Sequence, residues 1–481
     1  MSFLADPIAG LLLAPLIAAP VLACLPGYRL AAALNIAASG VGLIFALALV
    51  WHRPITTPLL IADDVNIVFI ILNTFVGFTS SIFSARYIRH ERATGRLTAA
   101  SLRLYHAMFQ LMLLAMNLAL SANNIGLIWV AVELATLSTV MMVGIYRTHA
   151  ALEAAWKYFI LGSVGIGLAL FGTILIYLAA VNALGEGMAS MEWSNLAQHA
   201  GALDAPLLNV AFVFLLLGYG TKMGLVPMHA WLPDAHAEGP TPVSAVLSGL
   251  LLNAALYALL RYKMILTANP AAIAVGPMLM GFGLLSVLFA ALMLYRRADI
   301  KRFFAYSSVE QMGLIAFAFG LGTPAGNFAG LLQMTLHSLV KSAIFFSVGQ
   351  AVQIKGSQKL ADIRGLTTSH PMLGWTLVIG VVAIAGLPPF GIFMSEFLLL
   401  SSSFAATPAL TLIATFGLLL AFGALLMRLN GVAFGMPSRD ATALRPSYGP
   451  IVAHLAIALL LGLYIPAPLA AWFQSVAVML K

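Results

Sequence analysis

Glu133, Lys222, Glu310, His337, Lys341 and Glu396 are ionisable side chains set in otherwise apolar stretches. A charge near the centre of a lipid bilayer costs at least about 2.5 kcal/mol, so each one needs a reason to be there. The chemistry open to such a set is proton transfer. Glu133 and Lys222 can act as a coupled pair: burial disfavours both charges and mutual attraction favours them, so a change in their separation loads or releases a proton. The alternative is a static ion pair that pins two helices, although buried pairs seldom stabilise a fold more than apolar packing would. His337 and Lys341 stand four residues apart and share one helix face. Lys341 has no carboxylate close to it in sequence. His337 reads either as a relay group or as a neutral imidazole bonded to a carbonyl.

The elements that must hold these groups are membrane helices. Of 481 residues, 62% are hydrophobic and 8% charged, against roughly a quarter charged in a soluble domain. About 14 spans are expected, centred near residues 17, 41, 77, 112, 134, 168, 219, 251, 284, 312, 340, 385, 420 and 458. The runs are apolar all round, as in Leu412 to Leu426, which excludes the alternating pattern of a membrane barrel. No basic residue precedes the first apolar run, so that span is expected to stay in the mature protein. Cys24 is the one cysteine, which excludes a cysteine-ligated iron–sulfur cluster, a c-type haem attachment and an internal disulfide.

A net charge of +8 could suggest nucleic acid, but the bases sit in short loops, where they set orientation instead. Loops after odd-numbered spans hold Arg29; Arg86, Arg89, Arg92, Arg96 and Arg103; Arg147 and Lys157; Arg296, Arg297, Lys301 and Arg302; Lys355, Lys359 and Arg364; and Arg439 and Arg445. Even-numbered loops have only Arg53, Arg261 and Lys263. The expectation is a protein of the bacterial cytoplasmic (inner) membrane with both termini on the non-cytoplasmic side.

Two spans carry breaks, at Gly218-Tyr-Gly-Thr-Lys222-Met-Gly-Leu-Val-Pro227 and at Ala385-Gly-Leu-Pro388-Pro389-Phe-Gly391. Proline removes a backbone donor and glycine loosens the helix, and breaks in corresponding spans point to internal repeats with an ion site at their interface. The expected architecture is a single polytopic all-α membrane domain over 1–481. Residues 1–88 supply spans one to three and 103–261 a first five-helix repeat. A second, inverted repeat covers 271–434, and 449–481 holds the last span. Glu153 and Lys157, spaced i, i+4, read as an interfacial helix pair or as a contribution to the Glu133 site.

The segment Lys222-Met-Gly-Leu-Val-Pro-Met-His229-Ala-Trp-Leu-Pro-Asp234-Ala-His236-Ala-Glu238-Gly-Pro-Thr-Pro-Val-Ser244 is long and unusual. It resembles the signature of the large membrane subunits shared by respiratory complex I, multisubunit sodium/proton antiporters and hydrogenase-4 or formate hydrogenlyase complexes. Further matches are Asp299-Ile-Lys-Arg-Phe-Phe-Ala-Tyr-Ser-Ser308, His337-Ser-Leu-Val-Lys341, Asp362-Ile-Arg-Gly-Leu366 and Gly386-Leu-Pro-Pro-Phe-Gly-Ile-Phe-Met-Ser-Glu396. The resemblance implies an input pair at Glu133 and Lys222, a central relay at His337 and Lys341, and an outlet at Glu396. Lys157, His229, Asp234, His236, Asn253 and Glu310 are accessory candidates. Asn253 stands where some pumping subunits have lysine, and an amide holds water but does not itself carry the proton. Together with Glu310 and the terminal glutamate it leans toward the hydrogenase-4 branch.

What the resemblance implies is a proton-translocating subunit driven by redox chemistry in partner subunits. Iron–sulfur, nickel–iron or flavin sites would sit in those partners and no cofactor in this chain. Expected partners are other membrane subunits of the same family, a peripheral redox arm, the bilayer and protons, with no nucleic acid. A secondary sodium/proton antiporter subunit and a scaffold that has lost pumping are the alternatives.

Overall fold

The computed structural model describes residues 6–442 and 446–481, so Arg445, one of the expected loop bases, lies outside the described residues. Among the described residues the regular elements are helices apart from one hairpin of two-residue strands, Ile55–Thr56 against Ile61–Ala62. The first spans are α1 (Pro7–Cys24), α2 (Tyr28–His52), α3 (Asp64–Ala93), α4 (Ala99–Ser121), α5 (Ile125–Val143) and α6 (His149–Leu184). A short surface helix, α7 (Trp193–Gln198), leads to α8 (Ala205–Met223) and α9 (Trp231–Glu238). α10 (Thr241–Val246) runs through a π-helical turn at Leu247–Leu251 into α11 (Leu252–Thr267). Then come α12 (Gly276–Arg296), α13 (Ile300–Gly320), α14 (Pro324–Lys355), the short α15 (Leu366–Ser369), α16 (Pro371–Ile384) and α17 (Gly391–Ala406). The described chain closes with α18 (Pro408–Phe434), α19 (Gly449–Leu463) and α20 (Ala467–Met479).

Helix starts follow local chemistry. Asp63 and Asn66 form a capping box on α3, and Asn124, Asp204 and Asp299 accept N–H groups at the starts of α5, α8 and α13. Both expected breaks are present. α8 stops at Met223 and the chain restarts as α9, while α16 stops at Ile384 and restarts as α17. Gly224 and Gly386, at φ 75° and 69°, turn the chain at the two breaks in the left-handed region, which side chains other than glycine rarely adopt. The backbone freed at the first break finds side-chain and backbone partners: the Val226 N–H donates to Ser286 of α12, and the Trp231 indole donates to the Thr221 carbonyl.

Among the described residues eleven helices are long and apolar enough to cross a membrane, and the α19/α20 pair, bent by 83°, makes a twelfth if it counts as one span. Thirteen of the expected centres fall on a helix or, at 251, its π-turn, and the one at 385 falls on the α16/α17 break. The difference from 14 lies in α13 and in the broken pair α16/α17, whose pieces are only 14 and 16 residues long. α13 is not apolar enough to pass, yet every residue in it but Arg302 is buried. The most apolar windows of α10–α11 and α14 are 100% and 94% buried, against 33% for α2 and α18. Protein rather than lipid surrounds these inner helices, so they can carry polar side chains.

Close helix contacts use small residues. A Cβ added at Gly313 of α13 would lie 2.6 Å from the Gly283 carbonyl oxygen of α12, and the reverse distance is also 2.6 Å. Gly313→Leu is expected to cost about 1–3 kcal/mol by overpacking, read as a lowered unfolding midpoint of detergent-purified protein. Gly281→Ala, with nothing within 4 Å of the added atom, should leave the midpoint unchanged.

Candidate functional site

The last turn of α8 carries Lys222 into the interior, where its side chain is 0% exposed. Its Nζ donates to Thr136 Oγ1 of α5 at 2.6 Å and lies 3.6 Å from Glu133 Oε2. Thr136 follows Glu133 by three residues, so both project from one face of α5. Tyr158 of α6 closes the pocket: Lys222 Nζ is 5.9 Å from its ring centre, its hydroxyl pairs with Thr139 at 2.8 Å, and its ring stacks on Trp231 at 4.2 Å. Gly162 leaves the room for the amine, since a Cβ there would lie 2.9 Å from Nζ. Glu133, at 18% exposure, lies on the rim of α5, on the stripe that also exposes Val130, Leu137 and Met141.

A second cluster spans α13, α14 and α17. Lys341 is fully buried and donates to the Phe304 carbonyl at 2.8 Å. Its electrostatic partner is Glu310, which lies mid-helix in α13. The Gln311 amide donates to Glu310 at 3.1 Å and reaches Glu396 Oε1 at 3.5 Å, so one side chain bridges both carboxylates. Gln333 donates to Gln311, and Ser395 donates to Gln333. Glu396 folds back across the helix break onto Gly386, where an added Cβ would occupy its carboxylate position.

Between the clusters lie His236, Asn253 and His337. Both ring nitrogens of His236 and of His337 are buried without a hydrogen-bond partner. His236 stacks on Phe345 of α14 at 4.8 Å. Asn253, just past the π-turn, donates to the Gly249 carbonyl at 2.9 Å and to Ser338 Oγ at 2.7 Å, leaving its Oδ1 unpartnered. Ser338 sits beside His337 in sequence, so the amide joins α11 to α14 through a hydroxyl.

The remaining accessory candidates sit apart. Lys157 pairs with Glu153 at 2.7 Å and with Asp234 at 3.2 Å, and Arg302 pairs with Asp234 at 3.1 Å and Glu238 at 3.4 Å, a half-exposed ionic network. His229 packs edge-on against Phe289 and Tyr306. No group of three or more His, Cys, Asp or Glu side chains among the described residues is gathered as a metal ion would need.

Sequence reasoning missed several members. Gln333 precedes His337 by four residues and Lys341 by eight, a one-face stripe that was readable. Gly162 gave no signal. Arg261, counted as a loop base, is fully buried: it pairs with Asp63 at 2.7 Å and its guanidinium lies 4.1 Å from the Trp193 ring centre. Lys301 is likewise buried and donates to the Ala237 and Gly239 carbonyls at the end of α9. Glu91, an acid amid loop arginines, is 1% exposed, pairs with Arg96 at 2.9 Å and accepts from Gln353 at 2.6 Å.

Residues 122–423, which contain both clusters, match the family described as "NADH:quinone oxidoreductase/Mrp antiporter, TM". The chain belongs to this family. Over 473 residues it is 56% identical to the hydrogenase-4 component F homolog of Methylacidiphilum infernorum, covering 98% of this chain and 99% of that one. Its fold matches a chain of the membrane-bound sulfane sulfur reductase, an archaeal respiratory membrane complex, with a TM-score of 0.87 at 24% identity, covering 98% of this chain and 97% of that one. A chain of the Mrp complex from Dietzia sp. DQ12-45-1b matches with a TM-score of 0.83 at 20% identity, covering 99% and 97%. This antiporter-family chain is accordingly an integral membrane protein.

The pocket around Lys222 generates a direct test. Gly162→Ala displaces the amine from Thr136 while leaving both charges in the protein, and the flexible lysine end can move aside. Its unfolding midpoint should stay near that of the unmodified protein. Any transport function of Lys222 should fall by at least about tenfold, the effect of losing one well-made charged hydrogen bond of about 1.5 kcal/mol or more. Proton uptake in vesicles holding the whole complex measures it.

Proposed function

We propose that the chain is a proton-translocating membrane subunit of a redox-driven complex of the hydrogenase-4 or NADH:quinone oxidoreductase type. The observation that carries this reading is the series of ionisable groups from the part-exposed Glu133 and the buried Lys222, past the buried His236 and His337 with the amide of Asn253 between them, to the buried Lys341 and Glu310 and the part-exposed Glu396. The relationship to a hydrogenase-4 component F homolog along nearly the full length supports the assignment to that kind of assembly. Glu133 and Lys222 exchange a proton as their 3.6 Å separation changes. At the other end Lys341, Glu310 and Glu396 pass it on, with Gln311 holding the two carboxylates within reach of one amide.

The matched breaks at Gly224 and Gly386 support the two inverted repeats, 103–261 and 271–434, with a relay group beside each break. In this reading the neighbours are other membrane subunits and a peripheral redox arm that holds the cofactors. The membrane is the bacterial cytoplasmic one, with both termini on its outer side. Asn253 favours a second reading, a scaffold without pumping, because its amide interrupts the series of titratable groups at the centre.

Lys222→Met and Glu133→Gln are expected to abolish proton translocation in vesicles holding the whole complex while leaving partner electron transfer partly intact. Full-rate pumping by either variant refutes the pair as input, and unchanged transport in Lys222→Met supports the scaffold. Gln311→Leu should slow translocation without altering the Lys222 pocket. If it pumps at the normal rate, the bridge between Glu310 and Glu396 is dispensable.

A further inference from the structure

We propose that a basic cavity between the α12–α13 turn, the segment before α15, and α18 binds the phosphate headgroup of an anionic phospholipid. The cavity, of about 630 Å³, is lined by Arg296, Arg297, Arg302, Lys359, Arg364 and Arg428, with Asp299 as its one carboxylate. Asp299 is already engaged, since its Oδ1 accepts the N–H groups of Lys301 and Arg302 at 2.9 Å each. Of the cations, Arg302 is held by Asp234 and Glu238. Arg296, Lys359 and Arg364 form no ion pair among the described residues.

Two further observations point to an anion. Arg297 reaches Met293 Sδ and lies 4.6 Å from the Tyr306 ring centre, and Arg428 donates to the Tyr295 carbonyl, so among the described residues neither guanidinium is neutralised by a carboxylate. Phosphate oxygens suit the guanidinium fork that arginines without a carboxylate partner present. The excess of five positive charges over carboxylate follows from the same lining residues, six cations less Asp299.

The surroundings choose a lipid over a soluble phosphate. Leu360, Met427 and Val432 give the cavity an apolar wall. Leading away from it, α12 exposes Leu285 and Leu292 and α18 exposes Phe416 and Leu419. Acyl chains would lie along these two helices, which pack on each other, with the headgroup at their basic ends. The site is separate from the relay, and its test is independent of whether the chain pumps protons.

The test uses the full-length chain in mild detergent, stripped of lipid and then offered phosphatidylglycerol or phosphatidylcholine, with retention read by native mass spectrometry. Phosphatidylglycerol should be retained at least about tenfold better, and the triple variant Arg296→Gln/Lys359→Gln/Arg364→Gln should lose about a hundredfold of that affinity, roughly fivefold per cation. Should the triple variant fail to fold, Lys359→Gln and Arg364→Gln, both at exposed positions, are each expected to lose about fivefold. Equal retention of the two lipids, or full retention of phosphatidylglycerol by the variants, overturns the proposal. Displacement of the lipid by millimolar inorganic phosphate also overturns it, by making the cavity a soluble-anion site.

Discussion

Lys222 ends a helix that can go no further. Two residues on, Gly224 turns the chain and Pro227 withholds a donor, so the ammonium group is delivered at the point where α8 stops, deep inside the protein. Burying a lone ammonium is expensive, and the surrounding structure is organised around offsetting that cost. Thr136 and Glu133 come from α5, and Tyr158 and the gap at Gly162 come from α6. Trp231, from the far side of the break, backs Tyr158 and returns its indole N–H to the end of α8. The break and the charge therefore require each other: the break frees backbone groups that its neighbours must satisfy, and the same neighbours shape the pocket for the amine.

The second half shows another solution to the same problem. Lys341 projects from the middle of α14, an unbroken helix of 32 residues, and borrows the Phe304 carbonyl of α13. Among the described residues no direct ion pair joins it to Glu310 or Glu396, and those carboxylates are held instead by a separate string of amides and a hydroxyl, Gln311, Gln333 and Ser395. Such a network is possible because α13 and α14 are wrapped by other helices and face almost no lipid. Polar side chains there answer to protein partners, and the outer helices carry the apolar surface.

The membrane class, the positions of the helices, both breaks and the charged members of the site were legible because each violates or obeys a strong rule. A charge in an apolar run, a proline in a helix and twenty apolar residues in a row are all visible without coordinates. What escaped was pairing across distance. That Glu310 serves Lys341, that Gln311 serves two carboxylates, and that Arg261 is an interior cation held by Asp63 depend on which helices touch. Arg261, Lys263 and Lys301 were assigned to loops because they lie at span ends, yet tertiary packing buries all three.

The Lys222–Glu133 pair is also asymmetric in depth. The positive end is sealed and the negative end sits at the rim, on the same stripe of α5 as Val130, Leu137 and Met141. The pair is thus a dipole aimed outward through a medium that holds no counterions. In water at physiological ionic strength a field dies away within about 8 Å, but hydrocarbon offers no such screening. Any charge that a neighbouring protein places against this face of α5 acts on the pair without ionic screening, reduced only by the dielectric response of its surroundings, and without touching it.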